Sequence, residues 1–393
     1  MRSLPIDYAL KNLGRRRLRT VLTGLANALA AAALLGTTTF VTSLTKSFQG
    51  AGREDVAIVL SRVSDRDVLR STVTAATGDL LVADVPGIVR VGGASAASSE
   101  IHMGTNLRIG EAPAEGTRDE VVYSTYVRGI TDAAFLVHDG VTIVEGRVPR
   151  TGEVLVGALA AQKAEAPVEA FQVGKKLRFE NGTFTICGVF RAPGTTMEGE
   201  IWAPLWELRG LSRRDDSSAI FIKMEDDDGL ADVELFAKRR LDLELSAIPS
   251  NLYYKELAQY FDPILKLTWV MSFLIALAVL ATLANTLSTA VEDRKSELAT
   301  LYAMGFTGGA LARSLLTEAL LLASAGGLVG LLVARFVLSE SAFRIGMAAF
   351  SLEVTPLAVL VGFAGVLLIA VLGTIPATAK VLRMPVTEAL KDS

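Results

Sequence analysis

Three uncharged apolar runs, Thr20 to Thr45, Leu267 to Val291 and Val354 to Ala379, and a fourth broken by one glutamate, constrain this chain more than any other feature. A helix crosses the hydrocarbon core of a bilayer with about 20 apolar residues, and a soluble helix rarely stays uncharged for that long. The weaker run, Leu311 to Leu338, holds Glu318 inside and Arg335 near its end, as in a span that faces protein more than lipid. The expected fold is a polytopic α-helical membrane protein with four transmembrane helices, at about 20–45, 264–290, 311–338 and 354–379. The polar block 46–263 between the first and second helices forms a large extracytoplasmic domain.

The first run is too long for a cleaved signal peptide, whose apolar core is about 7–15 residues, and a basic segment stands before it. That segment, with Arg2, Lys11, Arg15, Arg16, Arg17 and Arg19, stays cytoplasmic by the positive-inside rule. Four spans then place the loop 291–310, with Arg294 and Lys295, and the tail from Lys380 on the cytoplasmic side as well. Block 46–263 and the short segment Ser339 to Glu353 lie outside. A formal net charge of -3 gives no sign of a nucleic-acid partner.

Cys187 is the only cysteine, so the outer block cannot be stapled by an internal disulfide and must build its own core. At about 220 residues it is long enough to do so. Lys176 to Glu180 and Thr183 to Cys187 alternate around Asn181-Gly182, which predicts a β-hairpin with Asn-Gly at the turn rather than a glycosylation acceptor at Asn181. Val121 to Ile130, Val141 to Glu145, Val154 to Val156 and Ala219 to Met224 read as strands. Leu230, Val233, Ala237 and Leu241 share one side of a predicted helix. The domain is therefore α+β. The small-residue stretch Gly92 to Ser99 reads as a loop or subdomain junction.

Catalytic chemistry leaves no mark here. With His102, His138 and one cysteine there is no metal-ligand spacing, and the acidic run Glu225 to Asp228 lacks the alternation of a calcium loop. No Gly-x-Ser-x-Gly or His-Glu-x-x-His occurs, and Gly174-Lys175-Lys176 lacks the upstream glycine and the hydroxyl of a phosphate loop. If ATP is consumed, another chain binds it.

The cytoplasmic segments carry the most specific patterns. Ile6, Ala9, Leu10 and Leu13 fall on one face of a leader helix over 1–19, with basic residues elsewhere, as in a helix lying on the membrane surface. In the loop after the second span, Leu298, Leu301 and Tyr302 form an apolar stripe that requires a cover. Gly305 is placed to end the helix in a left-handed conformation. In the third span Gly326 and Gly330 form a small-x-x-x-small pair, suited either to packing within the chain or to a dimer contact. Glu318 is an intramembrane charge in need of a partner, with Arg313 or the leader helix in reach; a proton relay would show several such groups, and these spans show one.

The segment Glu297-Leu298-Ala299-Thr300-Leu301-Tyr302-Ala303-Met304-Gly305-Phe306, followed by Leu315 to Leu321 and Gly326 to Gly330, resembles the FtsX-like permease domain of MacB-type ABC transporters. Ala9 to Leu13 is similar to that family's beginning, and Ile375-Pro376-Ala377 with Met384 to Leu390 to its ending. Glu145 to Pro149, Val173-Gly174 and Gly188 to Phe190 are similar to its extracytoplasmic domain, whereas Asp55 to Ile143 shows little likeness. The resemblance implies a permease subunit without a nucleotide site, working as a homodimer with a separate cytoplasmic ATPase that holds ATP and Mg. A periplasmic adaptor is a further implied partner.

By the same resemblance Glu297, Leu298, Leu301, Tyr302, Met304 and Gly305 couple the ATPase to the outer domain. The chain would then export or extract a substrate from the outer side of the inner membrane by mechanotransmission. The alternative within the family is a transmitter that activates an extracytoplasmic cell-wall hydrolase without transport. Its members tend to have smaller external domains. A secondary transporter would show broken helices and more intramembrane charge.

Overall fold

In the computed structural model, residues 17–64, 67–111, 121–226, 229–339, 342–345 and 348–383 are described. The leader pattern Ile6 to Leu13 and the ending Met384 to Leu390 lie outside them. In chain order the elements are α1 (Arg17–Gln49), β1 (Val56–Ser61), α2 (Thr77–Asp84), β2 (Arg90–Val91), β3 (Ala94–Ser95), β4 (Ala97–Ile109), β5 (Tyr123–Ile130) and α3 (Ala134–Val137). Then follow β6 (Thr142–Gly146), β7 (Glu153–Gly157), α4 (Ala160–Ala164), β8 (Lys176–Phe179), β9 (Gly182–Arg191), β10 (Ile201–Pro204), α5 (Leu205–Ser212), β11 (Ala219–Lys223) and α6 (Gly229–Arg239). The last described elements are β12 (Leu245–Pro249), α7 (Ser250–Gln259), α8 (Asp262–Asp293), α9 (Lys295–Ala303), α10 (Gly308–Ser339), β13 (Ala342–Ile345), β14 (Ala348–Ser351) and α11 (Pro356–Leu382).

The chain forms two compact units: one of residues 1–42, 262–341 and 352–393, the other of residues 43–261 and 342–351. In the first, α1, α8, α10 and α11 are the four helices long and apolar enough to cross a membrane. Helix α11 is central, because small residues on it admit its neighbours. A side chain at Gly373 would meet Leu283 of α8, and one at Gly362 would meet Leu331 of α10 and Ala31 of α1. Val366, Ala370, Ala377 and Val381 continue this face and are buried with Leu283, Leu287, Leu315 and Ala319. Leu332 and Phe336 of α10 and Leu360 of α11 point outward, as lipid-facing side chains do.

The second unit is built on a closed ring of six strands, β4-β5-β10-β7-β9-β8, with β8 pairing back onto β4. Two of its pairings, β5 with β10 and β7 with β9, are parallel. Closure removes the exposed edges, and inward residues such as Ile101, Val127, Val154, Leu177, Phe184, Ile186 and Ile201 fill the interior. Strand β4 serves two sheets. Residues 97–100 pair with β11, residues 101–107 with β5, and its last two residues with β8. Through β11 the sheet extends to β1 and β12, and α2 and α6 cover one face of that extension with a second core around Val59, Leu81, Ile220, Val233 and Phe236.

Three local expectations change. The hairpin of β8 and β9 turns at Glu180-Asn181, both at positive φ, and not at Asn181-Gly182, since Phe179 pairs with Gly182. Core packing sets that register: Leu177, Phe179, Phe184 and Ile186 must all face inward, and a shift of one residue would turn one strand's set out. Gly92 to Ser99 is no junction. Gly92 and Gly93, at positive φ, turn the β2–β3 hairpin, and the chain then enters β4, the longest strand among the described residues. In α6, Val233, Phe236 and Ala237 are buried, but Leu241 is 68% exposed because the helix stops at Arg239.

Candidate functional site

The predicted coupling segment folds as α9, separated from α8 by Arg294 alone. Its C-terminus closes as the glycine pattern requires: Gly305 has φ +91, its N–H donates to the carbonyl of Tyr302, and the N–H of Phe306 donates to that of Leu301. The apolar stripe has a cover within the chain. Leu298 is buried in the core of the helical unit, Leu301 and Tyr302 are half-buried against it, and the Tyr302 hydroxyl lies over Gly308. Ser296, Glu297, Thr300, Ala303, Met304 and Gly305 make up the exposed side.

Ion pairs gather at this end of the unit. Arg19 of α1 reaches Asp293 of α8 at 3.7 Å, and Lys380 of α11 reaches Glu292 at 2.5 Å. Among the described residues the partner of Glu318 is Arg294, at 3.3 and 3.4 Å, rather than Arg313, and the leader alternative lies outside those residues. Arg313 instead turns back to the carbonyl of Gly309. The glutamate is 7% exposed, so a partner on the α8–α9 junction offsets the cost of holding its charge among apolar helices. Gly326 and Gly330 pack within the chain. A Cβ at Gly326 would come 2.4 Å from the carbonyl oxygen of Gly24, and one at Gly330 2.1 Å from that of Ala28. The pair thus seats α10 directly against the backbone of α1.

A second constellation, in the other unit, escaped the sequence reading. Glu100 and His102 alternate along β4, Tyr126 and Arg128 along β5, and Glu200 stands two residues before Trp202 of β10. Strand pairing sets His102 against Arg128, and Arg128 against Trp202, so their side chains share the outer face of the ring. Arg128 is fully buried and donates from Nε and Nη2 to Glu200 at 2.6 and 2.7 Å, and from Nη1 to Glu100 at 2.8 Å. His138, just after α3, donates Nε2–H to Glu100 at 2.8 Å, and the Trp202 indole N–H donates to Glu200 at 2.8 Å. The signal that could have found them is the period-two recurrence of ionisable residues inside strand-like runs.

Burial pushes the Glu100 carboxyl up, but His138, Arg128 and the imidazole hydrogen bonds outweigh it and hold it well below the usual carboxylate range. With Glu100 ionised, His102 donates Nε2–H to it at 3.1 Å and accepts at Nδ1 from the Tyr126 hydroxyl at 2.8 Å. Burial, and then the Arg128 charge, lower the His102 pKa, as suits an imidazole that uses one nitrogen as acceptor.

Residues 20–235 match the MacB-like periplasmic core domain, and residues 269–386 match the FtsX-like permease C-terminal domain. The chain belongs to the MacB/FtsX-type ABC permease family. Neither matched domain is a nucleotide-binding domain. No curated protein matches the chain. Among solved structures it is similar to the periplasmic region of MacB from Actinobacillus actinomycetemcomitans, with 14% identity, 53% of this chain and 94% of that chain covered, and a TM-score of 0.40. It is also similar to the extracellular domain of the noncanonic ABC-type transporter YknZ from Gram-positive bacteria, with 14% identity, 49% and 99% covered, and a TM-score of 0.36. A domain of a permease protein from Porphyromonas gingivalis gives 17% identity, 49% and 87% covered, and a TM-score of 0.31.

Proposed function

We propose that this chain is the permease subunit of an ABC transporter whose ATP and Mg are held by a separate cytoplasmic ATPase, and that α9 is where the two proteins meet. The end of the bundle that carries α9 faces the cytoplasm, and the unit of residues 43–261 lies outside. One observation carries the reading. Helix α9 is rooted by Leu298 and Ala299 in the helical core while Glu297, Met304 and Gly305 stay exposed, so a push on the exposed side is delivered to α8. Closure of two ATPase subunits would bring together the α9 helices of two permease copies, and α8 leads along the chain into the outer unit. The output is work on a substrate already outside the inner membrane, as export or extraction, with a periplasmic adaptor as a further partner. The extent of the outer unit supports this branch over activation of a cell-wall hydrolase.

Leu301 and Tyr302 are half-buried, so a charge there would disturb folding as well as docking. The informative variants are Glu297→Lys and Met304→Asp. Each is expected to release a co-purifying ATPase from the detergent-solubilised chain and to abolish stimulation of its hydrolysis, at an unchanged thermal midpoint. Retention of both by the double variant would refute the docking assignment.

A further inference from the structure

The buried charge cluster forms one wall of a cavity of about 190 Å³ in the outer unit, lined by His102, Arg128 and Glu200 on that side. Such a volume suits one aromatic or one tetraalkylammonium group, since a cavity of about 150 Å³ accommodates benzene. The other walls combine aromatic rings with Val68, Leu69, Leu257 and Thr196. Phe48 and Phe261 stack with ring centroids 5.1 Å apart, and Tyr253 meets Tyr254 edge to face at 5.2 Å. Asp67 also lines the cavity, with its side chain 43% exposed.

The charge around this space favours a cation. Arg128 is committed to Glu100 and Glu200 by three hydrogen bonds and also bonds the Tyr254 hydroxyl, which burial keeps neutral by raising its pKa to about 12. Among the described residues Asp67 pairs with Arg70 at 3.4 Å, an arginine whose side chain is 84% exposed, and accepts from the Leu69 N–H at 2.9 Å. Lys163 and Glu198, both buried on elements packed against each other, add one charge of each sign. Two lining rings already hold cations, Tyr126 under the Lys163 ammonium at 5.9 Å and Phe221 under Arg128 at 5.8 Å. No such contact involves Phe48, Tyr253, Tyr254 or Phe261 among the described residues.

We propose that this cavity binds a small organic ammonium ion, held against those four rings by cation–π attraction with its charge toward Glu200 and Asp67. The site goes beyond the ATPase-coupled reading and does not depend on it. Glu200 and Arg128 largely answer each other, so the half-exposed Asp67 carboxylate sets the sign of the remaining charge, which attracts a cation and repels an anion. Phe48 lies in the last turn of α1 and Phe261 immediately precedes α8, so the ligand would bear on both chain connections between the outer unit and its flanking spans.

The test uses the full chain in phosphatidylglycerol nanodiscs, with empty discs subtracted, and calorimetric titration of three molecules of one shape: choline, neutral neohexanol and anionic tert-butylacetate. Choline should bind saturably and about tenfold or more tighter than neohexanol, and tert-butylacetate should not bind. Tyr253→Leu and Asp67→Asn should each weaken choline several-fold at an unchanged thermal midpoint, and Phe261→Leu replaces Tyr253→Leu if that variant does not fold. Equal affinity for choline and neohexanol, preference for tert-butylacetate, absence of saturable choline binding, or full affinity in the variants would each overturn the proposal. Competition by dioctanoylphosphatidylcholine would identify a lipid headgroup as the source of the ammonium; its failure to compete would identify a free amine.

Discussion

Arg128 holds a cluster together that no single strand could hold. Its guanidinium takes Glu200 as a fork and Glu100 from the side, all within the interior, where removing one partner leaves a charge with nothing to answer it. Arg128→Met is therefore expected to destabilise the outer unit by about 3–5 kcal/mol, read as a drop in the denaturation midpoint of the full chain. The cluster also sets a pH response. The folded pKa of His102 lies below 6.5, so the unfolded chain takes up that proton first, and stability falls as pH drops below about 6.5. Glu100 adds a further loss below its ordinary value of 4.5, as pH approaches its depressed folded pKa. His102→Gln, whose amide can donate to Glu100 and accept from Tyr126, should flatten the thermal midpoint between pH 6.5 and 5. An unchanged slope would place the response elsewhere.

At the scale of elements, two helices are held by glycines for different reasons. Helix α10 lies so close to α1 that any side chain at Gly330 strikes the carbonyl of Ala28, and relief requires a backbone shift. Gly330→Leu should weaken the α1–α10 contact and lower the yield of folded protein from membranes, while Leu332→Ile, on the outward face, should leave it unchanged. Gly305 serves backbone conformation instead. At φ +91 a side chain is strained although nothing crowds the site. Gly305→Ala should cost about 1 kcal/mol and loosen the end of α9, seen as faster amide exchange at Phe306. Arg294→Gln would leave Glu318 without its cation, and a lower melting temperature of the helical unit is the expected outcome.

For the whole molecule, the proposed orientation has a direct check. Cys187 is 8% exposed and burial raises its thiol pKa to about 11, so it reacts weakly and can be replaced by serine as a background. In cells, Thr300→Cys should resist a membrane-impermeant maleimide until the membrane is permeabilised, and Val63→Cys, on the exposed surface of the outer unit, should label at once. The reverse pattern would invert the topology and remove the docking assignment with it.

Length, period and cap chemistry belong to contiguous residues, so the amino-acid sequence alone determined the four spans, the end of α9 at Gly305, the existence of the β8–β9 hairpin and the family resemblance. Partner choice belongs to residues far apart in the chain, and there the tertiary structure decided. It showed that Gly326 and Gly330 face α1, that Glu318 answers Arg294, and that the α9 stripe is covered from within. The hairpin register moved by one residue because four apolar side chains had to enter one core. The convergence of Glu100, Arg128 and Glu200 was illegible for the same reason, although their period-two spacing was not. These residues come from β4, β5 and the approach to β10, and nothing local in those segments states that a parallel pairing of β5 with β10 closes the ring and brings them together.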